Sequence, residues 1–267
     1  VFGDWSSDVC SSDLLALAEK FYLPISVKKY IRKGEKTGNL EENLRNFRYA
    51  AFEKERIRWK FDGIAVGHTL DDRVETFLFN LIRGSGLEGL VSLKPKNGRI
   101  IRPLLGLEKK EILLFLEKEK QSFRKDKSND DLKFFRNKIR HDLLVKLEKE
   151  YNPRIKKSLT HFQEHLEETA EWLAETVNKS YPKIVKEAEG LFFLDREKYA
   201  ALPGAIRRGV FRQLMAELKG DFRNFSANHF WELEKIVFSR KSKEQNFSYG
   251  GISVKKEKNK LVFAKKR

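Results

Sequence analysis

The stretch Ile64–Leu90, IAVGHTLDDRVETFLFNLIRGSGLEGL, decides how the rest of the chain is read. A short apolar run (Ile64, Ala65, Val66) stops at Gly67 and is followed at once by His68, Asp71, Asp72 and Glu75. Those four stand at offsets 0, 3, 4 and 7, which on a helix share one face. A surface helix normally gives that spacing to apolar residues. Here an imidazole and three carboxylates take it, directly after a strand. In an open α/β sheet the carboxyl end of a strand is where ligands bind. Paired carboxylates can hold Mg²⁺ through oxygen, bind an ammonium group or act as a general base. A solvated helix face making i,i+4 ion pairs has the same spacing, and Arg73 supplies a cation for it. On spacing alone the two readings are even.

Outward from this stretch, strands and helices alternate. Upstream, LLALAEKFY from Leu15 reads as a helix end, Pro24 breaks it, and ISVKKY (25–30) alternates like a strand. Asn39, with Glu42 three residues on, offers a capping box for a helix over about 40–60 that carries Arg45 and Arg48. FDGIAVGHT supplies the next strand and 70–83 the next helix. RIIRPLL (99–105) gives a third short strand, and EKKEILLFLEKEK (108–120) a further helix. This alternation predicts an α/β fold with a parallel, doubly wound sheet. Beyond the turn residues DKSNDD (126–131) comes FFRNKIRHDLLVKLEKEY, a helix. From there the pattern is helical to about Ser239, over 154–179, 195–201, 204–219 and 226–238. The end of the chain reads as a β-hairpin, Val254 and Leu261–Phe263 flanking the polar turn 257–259. Three regions follow: 1–14, 15–150 as an α/β domain, and 151–267 as a helical domain ending in a small basic hairpin.

Residues 1–14, VFGDWSSDVCSSDL, differ from the rest: serine-rich, without Lys or Arg, and holding Cys10, the single cysteine. They have neither the basic nor the apolar region of a signal peptide. The string SSDVCSSDL reads as translated sequencing adapter or as a disordered tail, and is expected to lie outside the fold. One cysteine excludes an internal disulfide and a cysteine-based zinc site. It fits a reducing, cytoplasmic setting. No apolar run reaches the length that spans a bilayer. The net charge of +16 favours a polyanionic partner. From Arg240 to Arg267 there are ten Lys or Arg against two Glu.

Two further motifs need weighing. GSGLEG (84–89) matches G-x-G-x-x-G, but it follows a helix rather than a strand and so fails the context of a dinucleotide fingerprint. A glycine turn permitting close backbone approach is the better reading. Arg83 beside it suits a phosphate or RNA contact, or simply a cation at a helix C-terminus. Arg136, Asn137 and Arg140 lie at helical spacing. Arginine forks suit phosphate recognition, and a basic solvated face is the plainer alternative.

Taken together, GHTLDDRVETFLFNLIRGSGLEGL, RIIRPLL and DKSNDDLKFFRNKIRHDLL, in that order and with EENLRNFRYAAFE upstream, resemble the tRNA(Ile)-lysidine synthetases, which are PP-loop ATP pyrophosphatases. The resemblance covers roughly residues 15–150. It implies a Rossmann-like sheet and a two-step reaction. ATP adenylates the C2 oxygen of the wobble cytidine in an isoleucine tRNA with a CAU anticodon. The amine of free lysine then attacks C2 and expels AMP. It implies Mg²⁺ beside ATP, a cytoplasmic setting without a membrane, and tRNA contact by region 151–267; a homodimer is left open. His68, Asp71, Asp72 and Glu75 would line the reaction centre, with Asp71 or Asp72 holding the lysine ammonium or Mg²⁺. Arg45, Arg48, Arg83, Arg136, Asn137 and Arg140, with the turn Gly84, Ser85 and Gly86, would contact ATP or tRNA.

The family's opening strand and its S-G-G-x-D-S phosphate loop have no counterpart in these residues. The SSD strings at 6–8 and 11–13 lack both glycines. The backbone N–H cradle for pyrophosphate is therefore missing, and the chain as given is expected to be an N-terminally truncated copy unable to adenylate tRNA. Two rivals remain. One is another PP-loop tRNA-modifying enzyme, although thiolases of that class use cysteines this chain lacks. The other is a non-catalytic basic RNA-binding fragment, which gains nothing from carboxylates that repel phosphate.

Overall fold

In the computed structural model the described residues are 9–28, 30, 40–123, 135–220, 227–239, 246–249 and 251–265. They form two compact units, Val1–Glu164 and His165–Arg267. The division falls inside a long helix, later in the chain than the change of pattern near 150.

In the first unit, helix α1 (Val9–Lys20) begins inside the serine-rich opening rather than at Leu15. Residues 25–28 and 30, within the segment expected as a strand, form none. Alternation alone does not hold a strand without a neighbour to complete its ladder. The Asn39 cap and the DKSNDD turn lie outside the described residues. Helix α2 (Leu40–Arg58) follows, then strand β1 (Ile64–Ala65) and helix α3 (Leu70–Ile82).

Helix α3 starts where it does because Thr69 caps it. Thr69 is extended (φ −107°, ψ 175°), and its hydroxyl and the Asp72 carboxylate close a reciprocal capping box. Leu70, Val74, Phe77 and Leu78 recur at i, i+4, i+7 and i+8 and are buried, Val74 and Phe77 almost completely. Each such side chain contributes roughly 2 kcal/mol of transfer free energy. The helix stops at Arg83, and Gly84 takes the left-handed conformation (φ 75°).

A short helix α4 (Leu87–Leu90) and strands β2 (Lys96–Asn97) and β3 (Ile100–Ile101) come next. β1 pairs with β3 in parallel, Ile64 opposite Ile100, and β2 pairs with β3 antiparallel, giving the order β1-β3-β2. The predicted strands at 61–69 and 99–105 are therefore present in short form, and β2 is an addition. Helix α5 (Lys109–Lys118) follows. The helix expected over 134–151 is composite. Its α turns α6 (Phe135–Lys138) and α7 (Leu144–Lys146) alternate with π turns at Ile139–Leu143 and Leu147–Tyr151. Helix α8 (Ile155–Ile184) begins in this unit.

The second unit is richer in strand than its sequence pattern predicts. Helices α9 (Arg196–Ala200), α10 (Gly204–Lys219) and α11 (Ala227–Phe238) match the reading. The terminal hairpin is present as β7 (Ile252–Lys256) and β8 (Lys260–Lys265), but β6 (Asn246–Tyr249) also joins it. So does a hairpin of β4 (Val185–Ala188) and β5 (Leu191–Asp195), in a segment read as helical. The result is one antiparallel sheet, β4-β5-β8-β7-β6. Glu189 (φ 53°) and Gly190 (φ 74°) make the two-residue turn between β4 and β5. Two successive positive φ values match the right-handed twist of a hairpin. Phe192 pairs with Phe263 and Leu194 with Leu261, and with Val210 and Leu214 they fill the core. Gly209 lets α10 approach α8 closely, because a Cβ there would run into the Val177 side chain.

Candidate functional site

The parallel strands β1 and β3 end side by side, and each delivers one side chain. Val66 N–H donates to the Ile101 carbonyl at 3.0 Å, which fixes the two carboxyl ends in register. His68 lies three residues beyond the end of β1, and Arg102 directly follows β3. Arg102 is buried; its Nε donates to His68 Nδ1 at 3.1 Å and its Nη1 to the Lys94 carbonyl at 2.7 Å. Burial pushes His68 below the ordinary histidine value. Asp72 works against that, while Arg102, Arg136 and Arg45 push the same way.

The acidic face lies just beyond, and each carboxylate has a distinct set of partners. Asp72 belongs to the cap: its Oδ2 accepts from Thr69 N–H at 2.8 Å and from the Thr69 hydroxyl at 2.9 Å. Its Oδ1 stands 3.6 Å from Arg140 Nη2. Asp71 accepts from the Lys109 amide at 2.6 Å and pairs with Lys156 Nζ at 3.0 Å. Burial raises its carboxyl, but the Lys109 amide and the Lys156 ammonium outweigh this and hold it below the ordinary aspartate value. Glu75 is 1 % exposed and receives the Arg140 fork, Nε to Oε1 at 2.6 Å and Nη2 to Oε2 at 2.8 Å. Burial drives the Glu75 carboxyl up, with Arg140 pulling it back. The bond to Glu75 holds Arg140 charged.

Arg140 sits in the first π turn, and Arg136, one turn earlier, donates from Nη2 to Thr76 Oγ1 at 2.6 Å. Insertion of a π turn into a helix recurs at functional sites, where it re-aims side chains. Asn137 is buried on the same helix. Arg45 is exposed and lies over the Tyr49 ring, close enough to His68 to influence its charge. The cluster thus gathers His68, Asp71, Asp72, Glu75, Arg136, Arg140 and Arg45.

Other residues assigned from sequence lie elsewhere. Arg83 caps the far end of α3, with its guanidinium over Phe79. At 1.5 Å per residue that is about 20 Å along the helix from His68. Gly84, Ser85 and Gly86 share that end and build a turn. Ser85 N–H donates to the Asn80 carbonyl, and Asn80 Nδ2 donates to the Gly89 carbonyl at 2.7 Å. A Cβ on Gly89 would lie 2.7 Å from Ser85 Cβ, so close packing against Ser85 accounts for Gly89, and the positive φ accounts for Gly84. Arg48 is half-buried on α2.

Arg102 and Lys156 escaped the sequence reading. Arg102 stood in the RIIRPLL block without a role, and Lys156 is one lysine among many on a basic helix. Among the described residues no group of three His, Cys, Asp or Glu side chains could hold a metal ion. The carboxylate oxygens that would bind one face Lys156, Arg140, the Lys109 amide or the Thr69 cap. The donor set does not fit a resident Mg²⁺.

The cluster lies outside the carboxyl ends of parallel strands joined through a helix, the place where open α/β sheets bind their ligands. Residues 6–147 match the PP-loop domain family, and the chain belongs to that family. Among its relatives, a tRNA(Ile)-lysidine synthase from Solibacter usitatus is 34 % identical over 202 residues, 75 % of this chain and 45 % of the relative. The enzyme of that name from Bacteroides thetaiotaomicron is 40 % identical over 151 residues, 57 % of this chain and 35 % of the relative. One from a Nostoc species is 29 % identical over 245 residues, 85 % of this chain and 71 % of the relative. The chain therefore spans less than half of the first two relatives' length. A solved U34-tRNA thiolase from Methanococcus maripaludis aligns over 58 % of this chain and 55 % of its own, with 24 % identity and a TM-score of 0.48. Among the described residues no helix is long and apolar enough to cross a membrane.

Proposed function

We propose that this chain carries the lysine-and-tRNA side of an ATP-dependent tRNA(Ile)-lysidine synthase site. The observation that carries the reading is the paired acid–base cluster at the carboxyl ends of β1 and β3, in a chain whose relatives bear that name. In the reaction ATP transfers its AMP to the C2 oxygen of the wobble cytidine and releases pyrophosphate. The lysine amine then attacks C2, AMP leaves, and the amine gives up a proton. Asp71 is already occupied by the Lys156 ammonium at 3.0 Å. Asp72 keeps one carboxylate oxygen outside the cap, held by the longer 3.6 Å approach of Arg140, and is the carboxylate that meets the incoming amine. Arg136 and Arg140 bear on the negative charge of the nucleotide and the tRNA backbone.

The 267 residues contain no S-G-G-x-D-S sequence. The expected result with this chain, ATP, lysine and a CAU-bearing isoleucine tRNA is no pyrophosphate release. Fusing a relative's S-G-G-x-D-S segment ahead of Leu15 is expected to give lysine transfer to that tRNA, lost in the Asp72→Ala variant. A fusion that binds tRNA and ATP but transfers no lysine sinks the reading.

A second reading, basic RNA binding without chemistry, is favoured by one feature of the second unit. Lys183, Lys186, Lys198, Lys258 and Lys260 line a cleft with Phe193, and Lys260 Nζ lies 4.8 Å from the Phe193 ring. A basic groove with an aromatic platform suits a nucleic-acid strand. tRNA binding indifferent to Asp72→Ala in an inactive fusion would favour it.

A further inference from the structure

We propose that Arg102 is a positioning residue that fixes His68 as a neutral imidazole with its proton on Nε2. The argument starts from donor chemistry. A guanidinium has five N–H donors and no acceptor, and it stays protonated in a protein. The contact between Arg102 Nε and His68 Nδ1, at 3.1 Å, can therefore be a hydrogen bond only if Nδ1 is the acceptor. An imidazole accepting at Nδ1 is not an imidazolium, and its single proton sits on Nε2.

Arg102 cannot easily turn away. It is 6 % exposed, its Nη1 donates to the Lys94 carbonyl at 2.7 Å, and its own amide donates to the Pro95 carbonyl at 2.8 Å. The guanidinium is clamped at one end by the β2 approach and aimed by β3 at the ring. The charged groups bearing on His68 are Asp72 from α3, Arg102 after β3, Arg136 from α6 and Arg45 from α2. Three of the four are cations, and with burial they oppose a second proton.

The consequence separates the roles within the cluster. His68 Nδ1 is occupied by Arg102, so His68 does not serve as a base through that atom. Nε2–H is left to donate to an oxygen acceptor, and removal of the amine proton falls to a carboxylate. This consequence rests on the proposed reaction site; the tautomer is a property of the folded chain and is measured without turnover.

Long-range ¹H–¹⁵N spectra of the uniformly ¹⁵N-labelled full chain test it. The chain has five histidines, and the His68 signals are identified by their loss in His68→Gln. The expected wild-type pattern at neutral pH is an unprotonated Nδ1 and a protonated Nε2, with a titration midpoint below that of an exposed histidine. In Arg102→Met the ring is expected to mix tautomers and its midpoint to rise, and Arg102→Lys is expected to restore the Nε2–H form. A wild-type proton on Nδ1, or an imidazolium at neutral pH, overturns the proposal. So does an unchanged tautomer in folded Arg102→Met. If Arg102→Met does not fold, the wild-type and Arg102→Lys spectra decide. Lysine transfer by the fusion enzyme is a separate readout, so a failure of the synthase reading leaves this result interpretable.

Discussion

Arg140 and Glu75 form a bidentate ion pair in which the carboxylate is almost fully buried and the guanidinium is partly open to solvent. It ties the π turn at Ile139–Leu143 to the middle of α3 and so sets the wall of the cluster. Removing one partner of a buried pair leaves the other charged and uncompensated. Arg140→Met is expected to lose about 3 kcal/mol of stability in the first unit at neutral pH. The loss depends on pH. Burial holds the folded Glu75 carboxyl above its ordinary value, so this group favours the fold at low pH and opposes it as pH rises through the folded value. Arg140 offsets that opposition. The Arg140→Met deficit should therefore shrink on acidification toward the ordinary glutamate range. Denaturant melts of both proteins at several pH values check this, and a deficit constant with pH refutes it.

Asp71 has the opposite sign. Its folded carboxyl lies below the ordinary aspartate value, so its contribution is present above that value and is lost as pH falls through the folded one. Asp71→Asn should cost about 1 kcal/mol at neutral pH, the scale of a charge-assisted bond to a partly exposed group. The difference from wild type should vanish in acid. Thermal melts of the pair from neutral to acidic pH provide the measurement.

What the sequence made legible follows from locality. Helix α3 was legible as the segment between the strand ending at Gly67 and the glycines from Gly84, and the structure adds the Thr69 cap and the buried i, i+4 stripe that hold it. The acidic cluster was legible because its members are neighbours on that helix. Arg140 was legible as a candidate, but two other partners were not, because Arg102 and Lys156 come from distant segments and only the fold aims them. His68 shares the spacing of the face, yet it precedes the Thr69 cap and belongs to the strand end. The β4–β5 hairpin was missed for a different reason. Val185–Ala188 is an edge strand with only Val185 buried, so it shows no alternation. LFFLD is a short apolar run, which periodicity cannot distinguish from a helix. Its turn uses Glu189 where Asn or Asp is the usual signal.

The turn after α3 packs closely on itself, and this is testable at Gly89. Gly89→Ala places a Cβ 2.7 Å from Ser85 Cβ and 3.2 Å from its hydroxyl oxygen. The expected cost is about 1–3 kcal/mol, as for other overpacked sites. Ser85→Gly removes the opposing atom, so the double variant should recover part of the loss beyond additivity. A double-mutant cycle by denaturant unfolding measures the coupling. Zero coupling would mean that Gly89 is required for another reason.

The cleft of the second unit carries the last prediction. Ion pairs within it join Lys198 to Asp195 and Lys260 to Glu257, at 3.1 and 3.2 Å. Lys183, Lys186 and Lys258 line the same cleft. If RNA phosphates lie there, each lysine that neutralises one releases a counterion, and the slope of log affinity against log salt counts them. The triple variant Lys183→Glu, Lys186→Glu, Lys258→Glu should bind a CAU-bearing isoleucine tRNA at least tenfold more weakly at moderate salt. Its slope should be smaller in magnitude by about 2, near the value for three lost single-strand contacts. Phe193→Ala should weaken binding by about 1–3 kcal/mol with the slope unchanged, because stacking releases no ions. Filter binding over a range of salt concentrations separates the two effects. A triple variant with wild-type slope places the RNA on another face of the chain.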